Sequence, residues 1–152
     1  MTNYNNIDYR ITDHFSYNEF IRSTTAEQRH IDNTMPKRYN ANLVTLCEKV
    51  LEPIRQEYGK PIIITSGYRC EKLNKAINGA KTSDHKFGAA CDCVAQDGDN
   101  LKLWNVVMKM VKEGKLDCRQ IIWEYGDKQP NWIHLSINHK YNGMRNNQIL
   151  RY

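Results

Sequence analysis

The sequence predicts an α+β fold, with helices packed on a small, largely antiparallel sheet. Three observations carry that expectation. Between about residues 36 and 58, apolar residues recur at intervals of three and four, the period of a helix with one buried face. The β-branched run Ile62-Ile63-Ile64-Thr65 and the alternating stretch Ala89 to Val94 are patterned as strands. Two further runs, Gln120 to Tyr125 and Trp132 to Ile137, flank Gly126-Asp127-Lys128-Gln129-Pro130-Asn131, a connection rich in turn formers.

In chain order, residues 1–12 are rich in Asn and Tyr and read as a loosely held arm, leaving residues 13–152 as one domain. Ser16-Tyr17-Asn18-Glu19 has the form of a capping box, so a short helix through Phe20 and Ile21 is expected. The main helix carries Leu43, Leu46, Cys47, Val50, Leu51, Ile54 and Tyr58 on one face. Gly59 should stop it, and Pro53 should bend it because one backbone hydrogen bond is lost there. The Ile62 strand ends in the Ser66-Gly67 turn, and a short helix from Glu71 to Ile77 stops at Asn78-Gly79. From Ala89 to Val94, Ala90, Asp92 and Val94 alternate with Ala89, Cys91 and Cys93. Asp99 is placed to cap a helix with Leu103, Trp104, Val107, Met108 and Val111, ended by Gly114. The hairpin runs 120–125 and 132–137 are expected to be the last two strands.

Composition narrows the class of function. The chain has 152 residues, enough for one domain and hardly for two. With 40% hydrophobic and 26% charged residues it is not collagen-like, coiled-coil or wholly disordered. No apolar run approaches the ~20 residues of a membrane span, and no secretory signal is visible at the start. A net charge of +5 suits an anionic partner, but the basic residues are scattered, so nucleic-acid binding is not expected. Five cysteines without CxxC spacing read as reduced, mostly buried thiols of a protein made in a cytoplasm.

The chemistry concentrates in three residues. His85 and Asp92 lie seven apart with Gly88 between, so a loop carrying His85 can feed a strand presenting Asp92. In Trp132-Ile133-His134-Leu135-Ser136, Ile133 and Leu135 should face the core and His134 the opposite side. Two imidazoles and a carboxylate are a sufficient protein set for catalytic zinc, with a fourth position left for water. The bland reading is that a histidine is a surface or hydrogen-bonded residue, as expected for His14, His30 and His139. A carboxylate within a hydrophobic strand is harder to explain that way, because burying it unpaired is costly.

Ser83-Asp84-His85-Lys86-Phe87-Gly88-Ala89-Ala90-Cys91-Asp92 resembles the SxHxxGxAxD signature of zinc D-Ala-D-Ala carboxypeptidases and L-alanyl-D-glutamate endopeptidases. These peptidoglycan peptidases share the fold of the hedgehog signalling domain. Trp132 to Ser136 is similar to their second-histidine motif, and Thr65-Ser66-Gly67-Tyr68-Arg69 to an upstream SGYR segment. His14-Phe15-Ser16 with Glu19, Ile31-Asp32-Asn33, Asn42-Leu43, Pro53-Ile54-Arg55 and Ile122-Trp123-Glu124-Tyr125 resemble landmarks of the compact phage and bacterial branch. The likeness spans roughly residues 13 to 151.

The resemblance implies one zinc ion held by His85, Asp92 and His134. Arg69 would grip a substrate carboxylate or carbonyl through its planar fork of donors, the alternative being a structural ion pair. Ser83 would bind substrate or fix the His85 loop, the alternative being a turn former; Trp132 would wall the site or simply pack. Gly88 would permit a turn that a Cβ obstructs. Many members carry Glu or Asp three residues before the second histidine, but Asn131 stands there, and an amide cannot take a proton from water. The phage-like branch has an acid where Glu124 stands. If the hairpin closes symmetrically about Gln129, Glu124 faces His134 with Cβ atoms ~5 Å apart and can serve as the base. The alternative is that Glu124 partners a lysine or supports His134.

The chemistry implied is metal-assisted amide hydrolysis of a peptidoglycan stem peptide by a monomer. Zinc acidifies the attacking water, Glu124 shuttles the proton to the leaving amine, and Arg69 sets register. Such a protein is made in the cytoplasm and acts on the cell wall, after phage-driven release if it is a lysin. Two other classes stay open: a non-catalytic zinc-containing module binding wall peptide or a protein, and a structural virion component without metal.

Overall fold

β1 (Arg10–Thr12) pairs antiparallel with β2 (Phe15–Ser16) before the first helix begins. The computed structural model describes residues 1–4 and 8–152, so the middle of the N-terminal arm lies outside the described residues. The arm expected to be loose is pinned on both sides of that gap. Thr2 Oγ1 accepts from the Asn33 N–H at 2.7 Å, the Asn3 N–H donates to Thr34 Oγ1 at 2.7 Å, and Tyr9 stacks on Tyr17 at 4.8 Å.

α1 (Tyr17–Ile21) starts as expected, with the Ser16 N–H donating to the Glu19 carboxylate at 2.7 Å. A second short helix, α2 (Thr24–Gln28), is capped by the Ser23 hydroxyl. The long helix resolves into α3 (Asn40–Leu46), a π turn over Cys47–Leu51 and α4 (Glu52–Tyr58). The expected bend at Pro53 is thus taken up one turn earlier. Pro53 has no N–H for the carbonyl four residues back, and the helix widens just before it to accommodate the loss. Gly59 ends the helix at φ +76°, its N–H returning to the Arg55 carbonyl.

The sheet uses β3 (Ile62–Ser66), β4 (Ala90–Ala95), β5 (Gln120–Glu124), β6 (Trp132–Ser136) and β7 (Gln148–Arg151), in the order β3-β4-β6-β5-β7. Between β3 and β4 lies α5 (Glu71–Ala76), and α6 (Asn100–Lys112) follows β4, capped by Asp99 as expected. All pairings are antiparallel except β5 with β7, so the β5–β6 hairpin does not supply the last strand of the chain.

One face of the sheet is apolar. Cys91, Cys93, Ile121, Ile133 and Leu135 are buried against Leu46, Val50, Ile54, Leu103 and Val107 of the helices, and Trp123 packs edge-on against Trp104 of α6. Burial of side chains this size contributes about 1.5–3 kcal/mol each. All five cysteines are free thiols, and burial pushes that of Cys118 up to about 12. With a side-chain period of two, the alternate residues Asp92, Ile122, Glu124, Trp132 and His134 share the other face. No helix among the described residues is long and apolar enough to cross a membrane.

Candidate metal centre

The loop before β4 carries His85. Ser83 caps a single 3-10 turn over Asp84–Phe87, its Oγ accepting from the His85 N–H at 3.3 Å. Gly88 closes the turn at φ +66°, where a Cβ would stand 2.9 Å from Met35 Sδ, as the glycine reading requires. Directly across the β4–β6 ladder, Asp92 pairs with His134. The three residues therefore converge. Asp92 Oδ1 lies 3.2 Å from His85 Nε2 and 3.1 Å from His134 Nδ1, and all three side chains are buried. Among the described residues these are the group able to hold a metal ion, their donor atoms lying within 4.8 Å of one another.

Proton placement shows what the cluster lacks. His85 Nδ1 lies 2.7 Å from the Gly67 carbonyl, which can only accept, so Nδ1 carries the hydrogen. Burial pushes the His85 pKa down more than Asp92 raises it, which keeps the ring neutral. Its Nε2 lone pair then points at a carboxylate oxygen, an acceptor facing an acceptor. Burial pushes the Asp92 carboxyl up, yet it stays below its usual range, and the Arg69 guanidinium 3.1 Å from Oδ2 pairs with it as an anion. His134 Nε2 is buried without a hydrogen-bond partner among the described residues. A cation among the three reconciles these contacts, and two imidazoles with one carboxylate fit zinc with a coordination position to spare.

The cluster opens into a cleft of about 700 Å³ lined by Arg69, Ser83, Glu124 and Trp132 with the three donors. Arg69 donates from Nη2 to Asp92 Oδ2 at 3.1 Å and from Nε to Ser66 Oγ at 3.1 Å. It thus makes the structural ion pair and also reaches the cleft. Gly67, whose carbonyl orients His85, passes Phe20 so closely that a Cβ would stand 2.4 Å from the Phe20 carbonyl oxygen. The hairpin register corrects one expectation: Glu124 pairs with Trp132, and Ile122 with His134. The loop closes about Lys128 rather than Gln129. A two-residue shift preserves the face, so Glu124 sits diagonal to His134 instead of opposite it. Burial raises the Glu124 pKa. Asn131 is exposed and does not line the cleft.

A family model described as peptidase M15 matches residues 13–136. The chain belongs to the peptidase M15 family. No curated protein matches its sequence. Membership makes the chain a metallopeptidase by family, and the buried His-Asp-His cluster is a candidate site for its metal.

A second buried cluster beside the site carries no motif signal in the sequence. Asp84, next to His85, is buried and bound by Arg119 Nη1 at 2.9 Å, His139 Nε2 at 2.8 Å and Asn142 Nδ2. These partners hold its carboxyl at about 2 against the opposing effect of burial. His139 is hydrogen-bonded, as read, but to a residue 55 positions away that carried no motif signal of its own.

Proposed function

We propose that this M15 metallopeptidase binds zinc and hydrolyses an amide bond in the stem peptides of peptidoglycan, as an endolysin-type endopeptidase or a D,D-carboxypeptidase. The observation that carries the reading is the neutral His85 ring whose Nε2 meets the Asp92 anion beside His134, a donor set incomplete without a cation. When bound, the metal supplies Lewis-acid polarisation of the scissile carbonyl and acidifies water. Glu124 takes the proton of the attacking water and returns it to the leaving amine. Arg69 keeps N–H donors beyond those used on Asp92 and Ser66 and holds the anionic end of the peptide. Trp132, 5.4 Å from Tyr125 between ring centroids, walls the cleft on the Glu124 side.

The test is mass spectrometry of peptidoglycan fragments incubated with zinc-loaded protein beside a chelated control. Loss of a terminal alanine identifies a carboxypeptidase, and a split between the first and second stem residues an endopeptidase. Glu124→Gln is expected to lower the rate about 10²–10⁴-fold while metal content stays unchanged. The base must be ionised, so activity falls as pH drops through a pKa that burial raises above the ordinary 4.5. Zinc uptake without cleavage of any fragment would replace this reading with a binding module of the same fold.

A further inference from the structure

A second groove, of about 720 Å³, runs along the outer edge of β3 and is walled on its far side by Arg22, Ser23, Thr24 and Thr25. β3 is an edge strand, and its hydrogen-bonding parity can be read from the register. The Gln96 N–H donates to the Pro61 carbonyl, and the ladder continues as Ile62 with Ala95, Ile63 with Val94 and Ile64 with Cys93. Bonded pairs alternate along an antiparallel ladder, so Pro61 and Ile63 bond inward to β4. Ile62 and Ile64 turn their N–H and C=O groups outward into the groove. Among the described residues these groups have no partner.

Edges of this kind are usually blunted by charge, proline, a bulge or a covering element. Here the isoleucine run stays open for three residues, and Ile63 is 42% exposed. The bulge comes only after Ile64, where the strand turns toward Arg69. The groove is also continuous with the metal cleft, since Arg69 and Ile77 line both.

We propose that the open edge of β3 is the docking site for an extended peptide segment of the substrate, which adds a strand through the main chain of Ile62 and Ile64 and passes Arg69 into the metal cleft. The open stretch Ile62–Ile64 spans about 10 Å, enough to pair two or three residues of peptide on one side of the cut bond. The inference rests on the peptidase reading and deepens it. A substrate held this way has peptide extending well beyond the scissile bond, as in fragments cross-linked through peptide bridges, and the enzyme is an endopeptidase.

The test uses muramidase-released peptidoglycan fragments, monomeric and peptide-cross-linked, with the full-length, zinc-loaded protein. In the Glu124→Gln protein, cross-linked fragments should slow amide exchange at Ile62 and Ile64, read by NMR, and monomeric fragments should not. In the active protein, Ile64→Pro removes one outward N–H at a position where an edge strand tolerates proline, and should narrow the preference for cross-linked over monomeric fragments about tenfold. Binding or cleavage of cross-linked fragments without protection at Ile62 and Ile64 overturns the proposal, as does failure of these fragments to bind at all. Protection that depends on protein concentration without ligand assigns the edge to a second copy of the chain and also overturns it. Protection without any cleavage by the active protein leaves the edge assignment standing and refutes the peptidase reading instead. If Ile64→Pro does not fold, the exchange measurement decides alone.

Discussion

Asp84 and Asp92 lie eight residues apart, both are buried, and both meet histidine, yet they do opposite things. Every contact on Asp84 comes from a donor. His139 offers Nε2, its Nδ1 being occupied as acceptor of the Tyr141 N–H, while Arg119 and Asn142 supply the rest. Around Asp92 the tautomer is reversed. His85 spends its hydrogen on the Gly67 carbonyl and presents a lone pair to the carboxylate. The same pair of residue types therefore makes a finished structural contact in one place and an unfinished one in the other. What separates them is the second nitrogen of the ring: bonded to a backbone donor it yields a clamp, and bonded to a backbone acceptor it yields a ligand.

The sharpest way to break this contrast is to neutralise each carboxylate in turn. Asp92→Asn removes an anionic ligand and should abolish both metal uptake, measured by elemental analysis, and hydrolysis of wall fragments. Asp84→Ala should do neither outright. It strands Arg119 and His139 in a buried place and is expected to cost about 3–5 kcal/mol of stability by denaturant unfolding, with metal still taken up. Loss of metal at unchanged stability would mean that the Asp84 cluster belongs to the metal site after all.

These two clusters also mark what the sequence could and could not disclose. His85, Asp92 and His134 were legible because their placement is local: strand parity puts Asp92 and His134 on one face, and the loop carrying His85 ends a few residues before β4. Arg69 was legible through its motif, although its contact with Asp92 crosses 23 residues. The Asp84 clamp was not, because Arg119, His139 and Asn142 are 35, 55 and 58 residues away, two of them in the irregular segment between β6 and β7. Glu124 was placed on the right face but two residues out of register, since strand alternation fixes parity and the turn fixes register. β7 is four residues long and pairs with β5 across a separation of 28, so its own pattern carried little signal.

Arg69 offers a smaller perturbation that tunes Asp92 without deleting it. Lysine keeps the charge but cannot reach Asp92, Ser66 and Asn74 together from one ammonium. Arg69→Lys should weaken metal affinity about 10–100-fold through loss of carboxylate orientation, with little change in unfolding. Competition with a chromogenic chelator measures it. An unchanged affinity would reduce the Arg69–Asp92 contact to simple charge balance.

The mildest effect belongs to acid, and it isolates Asp84. Its carboxyl ionises at about 2 in the fold against an ordinary 3.8, so the folded state holds the proton less tightly than the unfolded chain. The resulting stability is fully present above about pH 4 and is lost as pH falls through 2. A shift of this size corresponds to about 2 kcal/mol. Unfolding free energies of metal-free wild type and Asp84→Ala, measured from pH 6 down to 2, should therefore draw closer by about 2 kcal/mol at the acid end, leaving the part of the gap that comes from lost packing. Because Asp92 is present in both proteins, its own protonation largely cancels in the difference. A gap that stayed constant with pH would show that the variant suffers from lost packing alone, and that the charge of Asp84 does not stabilise the loop that holds His85.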